Sequence, residues 1–186
     1  NSDGLWEIPK DEHLHLSKVL RLKVGDEVEI SDGDGLVAKA LIKSQTKSKC
    51  EFEVLSEVFY EPSDRGYHIF MGALKTSSLE GLIGPLVELG VSSVTFFGQP
   101  GSEKNRLSDK VKSRCDKLVA SAVKQSKNPY LPYVRFAKSL EEAVRVEGPA
   151  AHQNIVLYPG AQLSLSEKLR ELDGEPVRIF VGGEKG

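Results

Sequence analysis

Cysteine, methionine and tryptophan are scarce in this chain, at two, one and one of 186 residues. Cys50 and Cys115 lie far apart, so the disulfide framework of a small secreted domain is excluded, and free thiols in a reducing, cytoplasmic setting are expected. Long apolar runs are missing too. The longest falls far short of the roughly 20 residues a membrane helix needs, so no membrane association is expected. No signal-peptide pattern opens the chain, whose first residue is Asn1. His13, His15, His68, His152 and the cysteines show no zinc-ligand spacing, so no metal is expected. There is no G-x-S-x-G elbow, no Walker A loop and no G-x-G-x-x-G fingerprint, which argues against a serine hydrolase, a P-loop enzyme and a Rossmann dehydrogenase.

What is present is an ordinary globular composition, 39% hydrophobic and 28% charged, sized for one domain or two small ones. Net charge is −2, yet the charges are segregated. Between Lys104 and Lys127 stand Lys104, Arg106, Lys110, Lys112, Arg114, Lys117, Lys124 and Lys127, against Asp109 and Asp116 alone. Lys39, Lys43, Lys47 and Lys49 form a second acid-free cluster. Such clusters on an acidic protein are either a phosphate-facing surface or solvated helix and strand faces.

Residues 1–61 read as β structure. Glu27–Ile30 alternates, Ser31–Gly35 is a turn, Leu36–Ile42 is a second strand and Cys50–Leu55 a third. Leu16, Val19 and Leu20 at helical spacing predict a short helix over His13–Leu22, packed on a small barrel. Glu61–Gly66 is a linker rich in turn formers. From residue 66 onward, strands at Tyr67–Met71, Val91–Phe97, Tyr133–Phe136, Asn154–Tyr158 and Val177–Val181 alternate with helices at Ser78–Leu89, Ser108–Lys127, Ser139–Val146 and Ser164–Leu172. That alternation predicts a mostly parallel sheet covered by helices. Pro85 inside the first helix predicts a kink or a late helix start. Ser164 and Glu167 have the spacing of a capping box.

Two strands end in glycine turns. Val177–Val181 runs into Gly182-Gly183-Glu184-Lys185-Gly186, and Asn154–Tyr158 into Pro159-Gly160-Ala161. In α/β folds ligands bind beyond the carboxyl ends of strands, and glycine lets a ligand approach the backbone closely. The two turns are candidates for one cleft, provided their strands are neighbours.

Several stretches resemble the RsmE-type ribosomal RNA methyltransferases of the SPOUT superfamily, which make 3-methyluridine in small-subunit rRNA. They are His15-x-x-Lys18-Val19-Leu20-Arg21-Leu22-Lys23-Val24-Gly25-Asp26-Glu27-Val28, Leu74-Lys75 with Glu88-Leu89-Gly90-Val91, Ala122-Val123-Lys124-Gln125-Ser126 with Leu131-Pro132, and the glycine loop Val181–Gly186. The resemblance implies a PUA-like RNA-binding barrel at 1–61. It implies a SPOUT α/β domain at 66–186, trefoil-knotted when the family's C-terminal segment is present. It further implies S-adenosylmethionine as cofactor, ribosomal RNA or the small subunit as partner, and a homodimer. The implied cofactor residues are Leu157, Tyr158, Pro159, Gly160, Val181, Gly182, Gly183, Glu184 and Gly186. The implied RNA contacts are His15, Lys18, Arg21, Lys23, Lys110, Lys117, Lys124 and Gln125. Pro85, Gly183 and Lys185 depart from the family pattern. Its L-G-x-R-I-L-R-x-E-T-A segment has no counterpart among these residues, so the resemblance assigns no catalytic residue. These departures keep a second expectation open, a non-catalytic RNA-binding protein with a degenerate SPOUT domain.

Overall fold

The computed structural model describes residues 8, 16, 21–46, 49–62, 66–72, 74–98, 108–146, 153–172 and 174–183. The chain divides into two units, Asn1–Glu61 and Pro62–Gly186.

In the first unit, β1 (Glu27–Ser31), β2 (Leu36–Gln45) and β3 (Cys50–Phe59) form an antiparallel sheet in the order β1-β2-β3. The β1–β2 turn is built by Asp32, whose Oδ1 accepts from the backbone N–H groups of Asp34 at 2.8 Å and Leu36 at 3.1 Å. Alternation sends Ala38, Ala40 and Ile42 of β2 and Cys50 and Phe52 of β3 to one buried side. Half-buried Ile8, Leu16, Leu22, Val28 and Ile30 pack against that cluster. The third strand does not stop at Leu55 as expected. Its ladder continues to Phe59, because Ser56–Phe59 pair with Leu36–Lys39 after a bulge. The helix expected over His13–Leu22 lies largely outside the described residues.

In the second unit, β4 (Tyr67–Gly72), β5 (Ser93–Phe97), β6 (Tyr133–Ala137), β7 (Gln153–Leu157) and β8 (Val177–Val181) form one sheet in the order β6-β5-β4-β8-β7. Every pairing is parallel. The helices are α1 (Thr76–Glu88), α2 (Asp109–Ser126), α3 (Leu140–Val146) and α4 (Leu165–Glu171). One sheet face carries Ile69, Val94, Phe96, Val177 and Ile179, which form a core with Leu79, Ile83 and Val87 of α1 and Cys115, Val119, Ala122 and Val123 of α2. Leu165 and Leu169 of α4 pack on the same core. The other face carries a smaller cluster of Phe70, Phe97 and Phe180 with Ala143 of α3, and the rings of Phe70 and Phe180 stack at 4.7 Å.

The expected late start of the first helix is not what forms. The helix begins at Thr76 and runs through Pro85. Proline in a helix interior costs about 3 kcal/mol. Leu79, Ile83 and Val87, spaced four apart and all buried, outweigh it by docking one continuous stripe. The capping box at α4 forms as its spacing predicts. Ser164 Oγ accepts from the Glu167 N–H at 3.3 Å, and a Glu167 carboxylate oxygen accepts from the Ser164 N–H at 2.8 Å.

Candidate functional site: two turns at the carboxyl ends of neighbouring strands

Leaving β4, the chain builds β5 and β6 to one side, then crosses the sheet and builds β7 and β8 on the other. The boundary between β4 and β8 is therefore a topological switch point, and ligands in open α/β sheets bind in the crevice beyond such carboxyl ends. The register fixes which residues meet there. Leu157 of β7 is level with Val181 of β8, and Val181 is level with Met71 of β4. The strands carrying the two glycine turns are thus direct neighbours, and Tyr158–Ala161 and Gly182-Gly183 leave the sheet side by side. Gly72, ending β4, joins the same rim. Sequence reasoning misses it, although a strand ending in glycine is the same signal that marks β7 and β8.

Tyr158 belongs to the turn and not to the strand, which ends at Leu157. The turn closes through the Ala161 N–H on the Tyr158 carbonyl at 3.0 Å. A side chain at Gly160 would place its Cβ 2.6 Å from Cε1 of the Tyr158 ring, so glycine is what lets that ring lie against the turn. Between β7 and the segment 158–168 is an open hollow of about 1030 Å³, walled by Val156, Leu157, Tyr158, Leu163 and Leu165 and by the polar Gln162, Ser164 and Glu167. Its apolar wall is bare, with Val156 68% and Tyr158 70% exposed. The Ser164 hydroxyl and backbone N–H hold the Glu167 carboxyl below the usual carboxylate range.

These features fit a flat, partly apolar group with polar edges. Leu157 and Tyr158 offer apolar area, and the turns supply backbone donors and acceptors. Of the cofactor residues named from the sequence, Leu157, Tyr158, Pro159, Gly160, Val181, Gly182 and Gly183 converge at this rim. Glu184 and Gly186 lie outside the described residues.

The nominated RNA contacts divide between the two units. Lys110, Lys117, Lys124 and Gln125 are all exposed on α2. Lys110, Lys117 and Lys124 recur every seventh residue, about 10.5 Å apart along the axis, on the side away from buried Cys115, Val119 and Ala122. Arg114, on that side as well, is drawn to Glu80 of α1 with Nε 3.0 Å from the carboxylate. Lys112 is paired with Asp116 at 3.2 Å. In the first unit Arg21 and Lys23 are exposed, Arg21 with a left-handed φ of 55°. His15 and Lys18 lie outside the described residues. The thiol of Cys115 is pushed up by burial and then by the neighbouring Glu80 carboxylate, and that of Cys50 by burial and then by Glu51. Both are buried packing groups.

A small antiparallel β unit followed by a parallel α/β unit with an open hollow beside its β7 edge defines a two-part protein. Comparison with known proteins names the class. Residues 61–186 match the RNA methyltransferase domain family, and residues 8–55 match the RNA methyltransferase PUA domain. The chain belongs to this RNA methyltransferase family. It is similar to Ribosomal RNA small subunit methyltransferase E 1 of Borreliella burgdorferi, 24% identical over 179 residues that make up 92% of this chain and 72% of that protein. The fold is shared with a Ribosomal RNA small subunit methyltransferase E from Neisseria gonorrhoeae solved bound to S-adenosyl methionine (TM-score 0.83, 22% identity, 98% of this chain and 75% of that one). It is also shared with a probable rRNA-methyltransferase from Porphyromonas gingivalis (TM-score 0.77, 24% identity, 96% and 75%). The chain thus spans about three quarters of the length of these relatives.

Proposed function

We propose that this RNA methyltransferase uses S-adenosylmethionine to methylate N3 of a uridine in small-subunit ribosomal RNA, as a cytoplasmic homodimer. The observation that carries the reading is the register of β7 and β8, which makes the strands ending in the Tyr158–Ala161 and Gly182-Gly183 turns direct neighbours, with β8 bordering the switch point. Leu157, Tyr158, Pro159, Gly160, Val181, Gly182 and Gly183 would hold the cofactor, Gly182 and Gly183 by admitting it to the backbone, Tyr158 by offering a ring face and Gly160 by letting that ring lie against the turn. When bound, the cofactor would supply a methyl group from its positively charged sulfur, leaving a neutral thioether, for a uridine N3 whose proton would be lost to a base or to solvent. The contribution of the chain's own residues is geometric, because fixing two reactants in line can supply much of a methyl-transfer barrier. A uridine imide must lose its proton near neutral pH, so a field that favours the anion is required beside the ring.

The first unit and α2 supply the RNA contacts in this reading. Arg21 and Lys23, and the α2 stripe Lys110, Lys117 and Lys124 with Gln125, would meet phosphates, which position RNA without reading its sequence. The family match and the formed turns favour an enzyme over a non-catalytic RNA-binding protein. Transfer of labelled methyl from S-adenosylmethionine to small-subunit RNA, or to assembled subunits, tests the reading. Incorporation as 3-methyluridine is the expected result. RNA binding with no cofactor binding would overturn it in favour of the non-catalytic alternative.

A further inference from the structure

At the edge of the parallel sheet away from the glycine turns, Tyr133 opens β6 with 64% of its surface exposed. Single exposed aromatics are common on protein surfaces and need no explanation alone. This one is organised. Arg135, two residues on and therefore on the same side of the strand, lays its guanidinium 5.3 Å from the centre of the Tyr133 ring. A cation over one ring face holds the side chain in place. The approach to Tyr133 is also fixed. α2 ends at Ser126, Lys127 turns the chain with a left-handed φ of 55°, and the Asn128 side chain accepts from the Tyr130 N–H at 3.0 Å. Exposed Lys124, Gln125 and Lys127 therefore lead directly into an exposed ring, with exposed Leu131 between them.

We propose that Tyr133, backed by Arg135, is a stacking platform for an unpaired nucleotide of the RNA substrate. This rests on the RNA reading above and adds the kind of RNA taken. Binding of single-stranded nucleic acid combines cationic tracks for phosphates with aromatic faces for bases, and a base paired inside a duplex cannot use such a face. The reaction chemistry points the same way. N3 of uridine lies on the Watson–Crick edge and is blocked in a base pair, so the target must be unpaired or extruded. Tyr133 does not hold the target itself. It sits at the amino end of β6, whereas the glycine turns leave the carboxyl end of β8, three strand spacings away, a separation on the order of 20 Å. The ring holds a base flanking the target, several nucleotides along the strand.

The test is affinity of the full chain for a short uridine-rich single strand and for the same strand annealed into a duplex, by fluorescence anisotropy across a salt series. Tyr133→Ala and Tyr133→Leu should weaken single-strand binding about 5- to 100-fold, the range one stacked base supplies, with an unchanged salt slope. Tyr133→Phe should bind like the wild type, and duplex affinity should be the same for all four proteins. Wild-type affinity in Tyr133→Ala, an equal loss for both RNAs, or full binding by Tyr133→Leu would overturn the platform while leaving the RNA reading intact. Failure of the wild type to bind either RNA would overturn both.

Discussion

β6 and β7 are the two edges of the same parallel sheet, and they are finished differently. At β6, Val134 and Phe136 turn inward to the core, Phe136 stacks on Phe96 at 5.8 Å, and the outward side holds Tyr133 and Arg135. That is an edge built to face water, polar and cationic where it is open. At β7, Asn154, Val156 and Leu157 are exposed and only Ile155 packs on the core. A run of Ile-Val-Leu reads as an interior strand of a parallel sheet, yet here it stands at an edge beside the glycine turn at Tyr158–Ala161. The difference leaves β7 as an exposed apolar edge beside a hollow and β6 as an exposed polar one.

Stability separates a buried strand from the open β7 edge by the widest margin. Phe96, wholly buried in β5, should cost about 3–5 kcal/mol when replaced by alanine. Val156→Ala in β7, at a site already open to water, should stay within about 0.5 kcal/mol. Chemical denaturation measures both. A loss at Val156 comparable to that at Phe96 would mean the β7 wall is covered in solution without any cofactor.

A smaller effect concerns the β6 side of the molecule. Lys117→Ala combined with Lys124→Ala should reduce the salt slope of single-strand RNA binding by about 0.7 for each phosphate no longer neutralised. Val156→Ala should leave that slope untouched. An unchanged slope in the double variant would remove α2 from the phosphate surface.

The smallest effect lies beside the β7 wall. The Glu167 carboxyl is held low by Ser164, so its capping contribution is present above the unfolded-chain value of about 4.3 and is lost as pH falls through its lower folded value. Amide protection of 165–171, compared with a distant helix such as α2, should drop on acidification below about pH 4.3. In Glu167→Gln that pH dependence should flatten. An identical acid response in both proteins would show that the box does not set the stability of α4.

Most of the secondary structure is legible in the sequence because periodicity and breakers agree. Val177–Val181 forms over its predicted span, and the face of α2 spaced at Val111, Cys115, Leu118 and Ala122 packs on the core, Cys115 and Ala122 buried and Val111 and Leu118 in part. Ends are misread where tertiary packing decides. Pro85 reads as the cause of a kink or a late start, and the late start does not occur, because the buried stripe of α1 carries the helix from Thr76 through it. Ser56–Phe59 hold no strong local signal and are drawn into β3 by pairing with β2. At the site, each glycine turn is visible alone. Their adjacency is not, since register between β7 and β8 is a property of strand order. The exposure of Val156 and Leu157 is hidden for the same reason: apolar composition is shared by an interior strand and by the wall of a binding cleft.

Hydrogen exchange on the protein with and without saturating S-adenosylmethionine decides whether one cofactor sits across both turns. Protection should rise together at 158–161 and at 182–183, while β6 and its Tyr133 edge stay unchanged. Saturating cofactor that protects neither turn, or only one, would place the site elsewhere.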